Sequence, residues 1–473
     1  VTETSQYPPP PDSRTSPAHR RRVVLATIVG TAIEWYDFFL YAAAAGIVFA
    51  ELFFAPAGRG FGTILAFLTV GLSFLFRPLG AFLAGHLGDR YGRKLVLLVT
   101  LVMMGVSTTL IGVLPTHADI GIAAPVLLVV LRVLQGISAG GEWGGAALLA
   151  VEHAPPRRRG LFGAFPQVGV PIGLLLSSGV LALMTRIAPG EAFLEWGWRV
   201  PFLLSVVLIV AGVYIRRRVE ESPVFEALVE RKARPHAPIA ALFRKHPLLL
   251  IVAGFVPVAS QAVGYMTTGG YIQRYATDPT GPLRLPTGEV LWAVTGSAVT
   301  WLVFTLVGGL LSDRIGRRRT FFLAWGLLFV AVLAMFPLVN TGNVGLLFLG
   351  LAFLTVGLGL ANGPLAALLA EMFPTSVRLS GASIAYAIGA IAGGAFAPTI
   401  ATALVQATGT TSSVTIYLIV MVGLSTLAIL LLKDRSGIGL GPENEAEQSV
   451  SPLRGRARAV RAQTERPSAP SRS

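Results

Sequence analysis

The sequence predicts an all-α polytopic membrane protein: twelve membrane-spanning helices in two pseudo-symmetric six-helix bundles. Three observations carry that expectation. Of 473 residues, 53% are hydrophobic and only 13% charged, with a mean hydropathy of +0.68. A water-soluble chain of this length needs a far more polar shell. The apolar residues fall in long blocks that recur to the end of the chain, and a charged segment from the first half reappears in the second.

A helix that crosses a bilayer needs about 20 predominantly apolar residues. Windows of that length mark blocks at approximately 23–50, 61–86, 95–115, 121–149, 160–187, 197–215, 247–273, 289–311, 320–338, 344–370, 377–406 and 413–432. The first run is too long for the core of a cleavable signal peptide. Residues 1–22, rich in Pro, Ser and Arg, read as a disordered cytoplasmic tail. Residues 23–215 form the first six-helix half, 216–246 a polar cytoplasmic loop, and 247–432 the second half. Residues 433–473 read as a disordered basic tail.

A net charge of +14 raises the question of nucleic acid, but the placement of the charges answers it. Arg20–Arg22, Arg90, Arg93, Lys94, Arg157–Arg159, Arg216–Arg218, Arg314, Arg317–Arg319, Lys433 and Arg435 flank one side of an even-numbered topology. The other side holds Arg59, Arg186, Arg199, Arg274 and Arg284. This asymmetry is the positive-inside pattern, so both termini are expected in the cytoplasm of a multi-pass cell-membrane protein. No nucleic-acid partner is expected.

Cysteine is absent, which excludes disulfides and thiolate metal sites. The six histidines, at 19, 86, 117, 153, 236 and 246, fall in tails, loops or block ends. No metal site is expected, and any proton carried through the membrane must ride on a carboxylate. An ATP-driven pump needs a phosphate-cradling loop ending in Gly-Lys-Ser/Thr. None of the chain's lysines follows a glycine. With no catalytic constellation either, the expectation is a non-enzyme without cofactor, powered by a proton gradient.

GHLGDRYGRK at 85–94 returns as GLLSDRIGRRR at 309–319, and AALLAVEHAPPRRRG at 146–160 is echoed by AALLAEMFPTSVRLSG at 366–381. Two echoes at nearly one offset divide the chain into two like halves. Parallel six-helix repeats with a site between them describe a large class of secondary transporters. The repeated loop resembles the signature loop of the major facilitator superfamily, and RVLQGISAGGEWGGA resembles its second signature. EWYDFFLY, RPLGAFLAGHLGDRYGRK, GGEWGGA, WGWRVPF and ESPVF resemble the metabolite:proton symporter branch. That branch includes transporters of shikimate, 2-oxoglutarate, citrate, and proline with betaine.

An ionised side chain at the bilayer centre costs roughly 2.5–3.5 kcal/mol on insertion scales. Glu34 and Asp37 in the first block, Arg77 in the second, and Arg132 and Glu142 in the fourth therefore mark a site facing protein or water. At 100° per residue, Gly30, Glu34, Asp37 and Tyr41 share a sector of roughly 60°, and Arg132, Gln135, Ala139 and Glu142 one of roughly 80°. The resemblance implies that Arg132 interacts with a proton-carrying acid, and Asp37 is the leading candidate, followed by Glu34. Arg77 and Arg132 are the cations placed to receive a solute carboxylate. Neutral hydrogen-bonding groups extend the expected solute site: Tyr41, Gln135, Gln167, Gln261, Tyr265, Trp301, Asn362 and Tyr386. GVPIG at 169–173 is expected to interrupt the fifth helix. In the loops, Asp89, Arg90, Arg93, Asp313, Arg314 and Arg317 are gate candidates; the resemblance implies that Asp89 bonds across to the other half.

The expected function is proton-coupled symport (uptake) of a small organic acid or zwitterion by alternating access, with solute, protons and bilayer as partners and the monomer as the working unit. A proton-driven exporter on the same fold, and a solute sensor that does not transport, are the alternatives.

Overall fold

The computed structural model describes residues 17–91, 93–140, 142–152, 154–217, 238–268 and 270–454. Its regular structure there is helical, apart from one antiparallel bridge between Leu432 and Leu453. The first half comprises α1 (Pro17–Ala44, extended through a π-turn to Leu52), α2 (Arg59–Tyr91), α3 (Arg93–Val113), α4 (Ala123–Glu152), α5 (Arg159–Ile187) and α6 (Phe193–Tyr214). A short helix, Pro238–Lys245, precedes the second half. That half holds α7 (Pro247–Gly264), α8 (Thr287–Ile315), α9 (Arg317–Val339), α10 (Val344–Met372), α11 (Thr375–Thr408) and α12 (Ser412–Leu431). Among the described residues, eleven of the twelve apolar blocks lie in helices long and apolar enough to cross a membrane, and the third is a shorter apolar helix, Leu98–Val113.

Their outer faces remain apolar. On α3, Val99, Val102, Val106, Leu110 and Val113 are all exposed and recur at helical spacing. A stripe of this kind is a liability in water and the expected lipid contact in a bilayer. Inside, hydrophobic attraction adds little between helices that could equally contact lipid, so close packing over small residues holds them together. A β-carbon on Gly169 of α5 would lie 2.7 Å from Thr31 Cβ of α1, and one on Gly359 of α10 would lie 2.8 Å from the Thr305 nitrogen of α8. Side chains at these points would push the helices apart.

Three expectations change. GVPIG does not interrupt α5, which runs unbroken through Pro166 and Pro171; a proline removes one backbone donor, and neighbouring helices hold the remainder in place. The tail after α12 is folded as far as Arg454, contrary to the disorder read from its composition. Leu453 and Gln448 are 5% and 2% exposed, and backbone bonds Lys433 N to Pro452 O (2.8 Å) and Arg454 N to Leu431 O (2.9 Å) pin the segment back on α12. The helix of α1 also starts inside the expected N-tail, at Pro17. The remainder of that tail, 218–237 of the central loop and 455–473 lie outside the described residues.

The seam between α8 and α10 gives a stability test. A β-carbon on Gly363 would overlap the Thr305 carbonyl, whereas Gly326 on α9 faces open space. Overpacking costs about 1–3 kcal/mol. Gly363→Ala is expected to lower the thermal unfolding midpoint in detergent, and Gly326→Ala to leave it unchanged. Equal midpoints would mean that the seam is looser than described.

Candidate functional site

Glu34 and Asp37 are 4% and 1% exposed on α1. Three residues of helix separate their directions by about 60°, enough to give them different neighbours. Glu34 meets Arg77 of α2, with Nη2 3.8 Å from Oε1. This pair sits at the seam between the halves, where both charges act on Tyr386 of α11. Asp37 turns into its own half. Ser205 of α6 donates to its Oδ1 at 2.7 Å. Thr108 of α3, whose hydroxyl donates to the Met104 carbonyl at 3.0 Å, and Arg132 of α4 both act on the same carboxyl.

Arg132 is held by several groups. Its Nε donates to the Thr69 carbonyl (3.2 Å), Nη1 to Gln135 Oε1 (3.0 Å) and Nη2 to the Val70 carbonyl (3.4 Å). The guanidinium lies 4.0 Å from the ring centre of Tyr41, whose hydroxyl donates to Thr69 Oγ1 at 2.6 Å. Gln135 Nε2 in turn donates to Thr108 Oγ1 at 2.7 Å. A polar chain thus runs from Arg132 through Gln135 to Thr108, with the Asp37–Ser205 pair beside it. Tyr41 and Gln135, expected on the solute site, belong to this chain and are not among the residues lining the cavity described next.

Between the halves lies a small cavity. Trp35, Phe39, Gln167 and Val170 wall it from the first half. Ser260, Gln261, Gly264, Trp301, Asn362 and Tyr386 wall it from the second. Helix geometry accounts for the pairing of Trp35 with Phe39 and of Ser260 with Gly264, each four residues apart. The polar groups are oriented. Trp143 of α4 stacks on Tyr386 at 3.7 Å and 7°, and its Nε1 donates to Gln167 Oε1 at 3.0 Å. The Gln167 amide reaches the Asn362 carbonyl at 3.5 Å. Trp301 Nε1–H is buried and has no partner among the described residues, a donor left over for a bound solute.

Contacts between the halves close both ends of the cavity. At the end carrying the termini, Asp313 of α8 accepts from Gly160 N (2.7 Å) and Leu161 N (2.9 Å) in the first turn of α5. Those amides have no partner inside their own helix, and a helix N-terminus favours an anion. Arg317 binds Asp313 at 2.7 Å and grips Glu371 with two bonds of 3.1 Å. Arg378 of α11 reaches Glu152 of α4 at 3.4 Å. The folded tail overlies this latch: Arg159 donates to the Ile438 carbonyl, Arg378 to the Leu440 carbonyl (2.9 Å), and Gln448 accepts from Thr375 N (2.8 Å) and Arg378 Nη2 (3.1 Å). Gly316, at φ 92°, makes the turn from α8 to α9 that brings Arg317 back onto Asp313. At the opposite end, Ser178 and Thr295 hydroxyls meet at 2.8 Å and Gln406 Nε2 donates to the Gly60 carbonyl at 3.2 Å.

The structure therefore brings Gln167, Gln261, Trp301, Asn362 and Tyr386 together on the cavity, and Asp313 with Arg317 on the latch. Arg77 lies behind Trp35 and Tyr386, and Arg314 is exposed. The side chains of Asp89, Arg90, Arg93, Glu142 and Tyr265 lie outside the described residues. Sequence reasoning missed the aromatic walls Trp35 and Phe39, as well as Trp143, Glu152 and Arg378. Trp35 and Phe39 left a usable signal, being one helical turn apart beside the two acids.

Two helical halves around a central cavity, closed at each end by contacts that could part separately, define a membrane transporter. The chain belongs to the major facilitator superfamily. Residues 270–463 match the pattern of that superfamily, and residues 23–247 match that of the sugar (and other) transporter family. The inner membrane metabolite transport protein YhjE of Escherichia coli (strain K12) is 43% identical over 420 residues, covering 88% of this chain and 94% of that protein. The shikimate transporter of the same strain is 37% identical, covering 90% and 97%. Among solved structures, the proton:xylose symporter XylE superposes with a TM-score of 0.72 at 17% identity, covering 91% of this chain and 98% of that one. At that identity the likeness concerns the fold.

The latch is directly testable because the chain has no cysteine. A single Ser260→Cys change places a thiol on the cavity wall. Adding Asp313→Asn removes one of the two ionic partners of Arg317 and weakens the grip on the α5 amides. A loss of about 1.4 kcal/mol, ordinary for a charged hydrogen bond, is a factor of ten in opening. An impermeant maleimide applied from the side of the termini is expected to react about tenfold faster in the double variant. An unchanged rate would mean that Asp313 does not hold this end shut.

Proposed function

We propose that this protein is a secondary active transporter that carries a small organic acid or zwitterion into the cell together with protons, by alternating access of its two halves. The carrying observation is the cavity between the halves, beside the buried Glu34–Arg77 pair and closed at both ends by inter-half contacts. Its lining of carboxamides, a hydroxyl, indoles and a phenol suits a small oxygen-bearing solute. The shikimate transporter is a relative along almost its whole length, which supports a solute of that size and chemistry. The basic loops support cytoplasmic termini, and the E. coli relative is named as an inner membrane protein. One chain contains both halves and the cavity, which supports a monomer as the working unit. The proton gradient is the energy source, and no cofactor is required.

In this reading Asp37 carries the proton. Its carboxyl lies inside the first half, among side chains from α3, α4 and α6. Loading and unloading it changes the charge facing Arg132, and with it the packing of those helices around α1. The latch residues break and re-form as the halves rock.

In proteoliposomes, uptake from a panel of shikimate, proline and glycine betaine is expected to concentrate one of these solutes without ATP and to collapse with a proton uncoupler. Asp37→Asn is expected to lower accumulation at least about tenfold while sparing counterflow, which needs no net proton movement. Uphill accumulation by Asp37→Asn would remove Asp37 from this role.

A further inference from the structure

A buried guanidinium has five N–H donors to satisfy, and proteins satisfy them almost without exception. Arg132, Arg317 and Arg378 follow that rule through the bonds described above. Arg77 does not. It is 8% exposed, its Nε is buried without a partner, and it makes no hydrogen bond to any described residue. Its ionic contact among the described residues, 3.8 Å to Glu34, is single and long; Arg317 meets Glu371 through two bonds of 3.1 Å. Aromatic faces hold the cation in place: Phe74 at 4.5 Å, Trp35 at 5.8 Å and Phe38 at 5.9 Å. Trp35 also lines the cavity, as does Tyr386, on which Arg77 and Glu34 both act. An arginine with its fork unused therefore stands directly behind the cavity wall. Arg132, the other mid-helix cation, has its donors occupied.

Resting on the transport reading above, with Asp37 taking up its proton before the solute binds, we propose that Arg77 receives the carboxylate of the solute in place of Glu34, and that the displaced Glu34 then binds a second proton that travels with it. A two-pronged carboxylate–guanidinium pair forms, and the long Glu34–Arg77 contact opens. Glu34, parted from Arg77, takes one proton from water on the open side. On the far side the order reverses: the solute leaves, Glu34 releases its proton and returns to Arg77. One negative charge and one positive charge enter together, so the buried charge is unchanged. A zwitterion would offer Glu34 its own cation and leave nothing for a proton to neutralise. The solute class is therefore a simple carboxylate.

Among the described residues, the ionisable groups facing Glu34 are Arg77 of α2 and Tyr386 of α11, with Asp37 one turn further along α1. The side chains of Glu142 on α4 and Tyr265, next after α7, lie outside that set.

The test uses the full chain in detergent. Thermal shift is measured with shikimate, benzoate and pyruvate, each beside its methyl ester, and with proline and glycine betaine. Proton uptake on binding is followed with an indicator dye in weak buffer. At least one acid is expected to bind with uptake of about one proton, and its ester at least about tenfold more weakly. Glu34→Gln is expected to bind that acid at least as tightly, with no proton taken up. Arg77→Lys, which keeps the charge but loses the fork, is expected to weaken it about tenfold or more, and does not rely on the riskier Arg77→Gln folding. The proposal is overturned if an ester matches its acid, if Glu34→Gln still takes up a proton, or if none of the acids binds. A zwitterion that binds and is then concentrated by a proton gradient would overturn it too, while leaving the transport reading intact.

Discussion

Lipid offers a charged side chain neither water nor a counter-ion, and that constraint organises this protein. Every ionisable group deep in the bundle must turn inward and find its compensation on another helix. The described charges obey this in two layers. Near the termini, Asp313, Arg317 and Glu371 are tied by short, multiple bonds, with backbone amides of α5 completing the set and Arg378 reaching Glu152 alongside. At mid-helix, Glu34 with Arg77 and Asp37 with Arg132 are compensated more loosely, by distance-limited attraction, aromatic faces and hydroxyls. The first layer suits a latch that is either shut or open. The second suits groups whose charge must change during work.

The packing is consistent with that division. Helices meet over glycines, where flat surfaces can slide and re-seat without leaving a side chain stranded. The cavity lies where the halves meet, so its wall is complete only when both are in place. Gln167 shows how the halves are linked: it accepts from Trp143 in its own half and reaches the Asn362 carbonyl in the other. The folded tail adds a further tie, since Gln448 bonds both Thr375 and Arg378 beside the latch. Opening this end therefore disturbs the tail as well as the loops.

Much of this was legible in the residues alone, because the bilayer imposes its terms on sequence. Long apolar blocks give the helices, and an acid within such a block announces a site. Direction was harder. Tyr41 and Gln135 share the polar stripes of Glu34 and Arg132, yet a stripe of 60–80° spans two different seams, and both residues face Arg132. Trp35 and Phe39 look like lipid-facing aromatics until the opposing half is in place. The first-turn amides of α5 that bind Asp313 carry no side-chain signature at all. The tail was misjudged for a related reason: its composition is polar, but its order comes from carbonyls at Ile438 and Leu440 that meet arginines more than 60 residues away.

The central proposal is that acids on α1 are tolerated in the membrane because they exchange protons. Infrared difference spectroscopy of the carboxyl groups tests that claim most directly, with Asp37→Asn and Glu34→Gln assigning the bands. Across the physiological pH range and on addition of solute, a band of the protonated acid should appear or vanish in the native protein and be lost in one of the two variants. If both groups stay ionised at every pH with or without solute, they serve only to bind helices together, and the coupling described here does not occur.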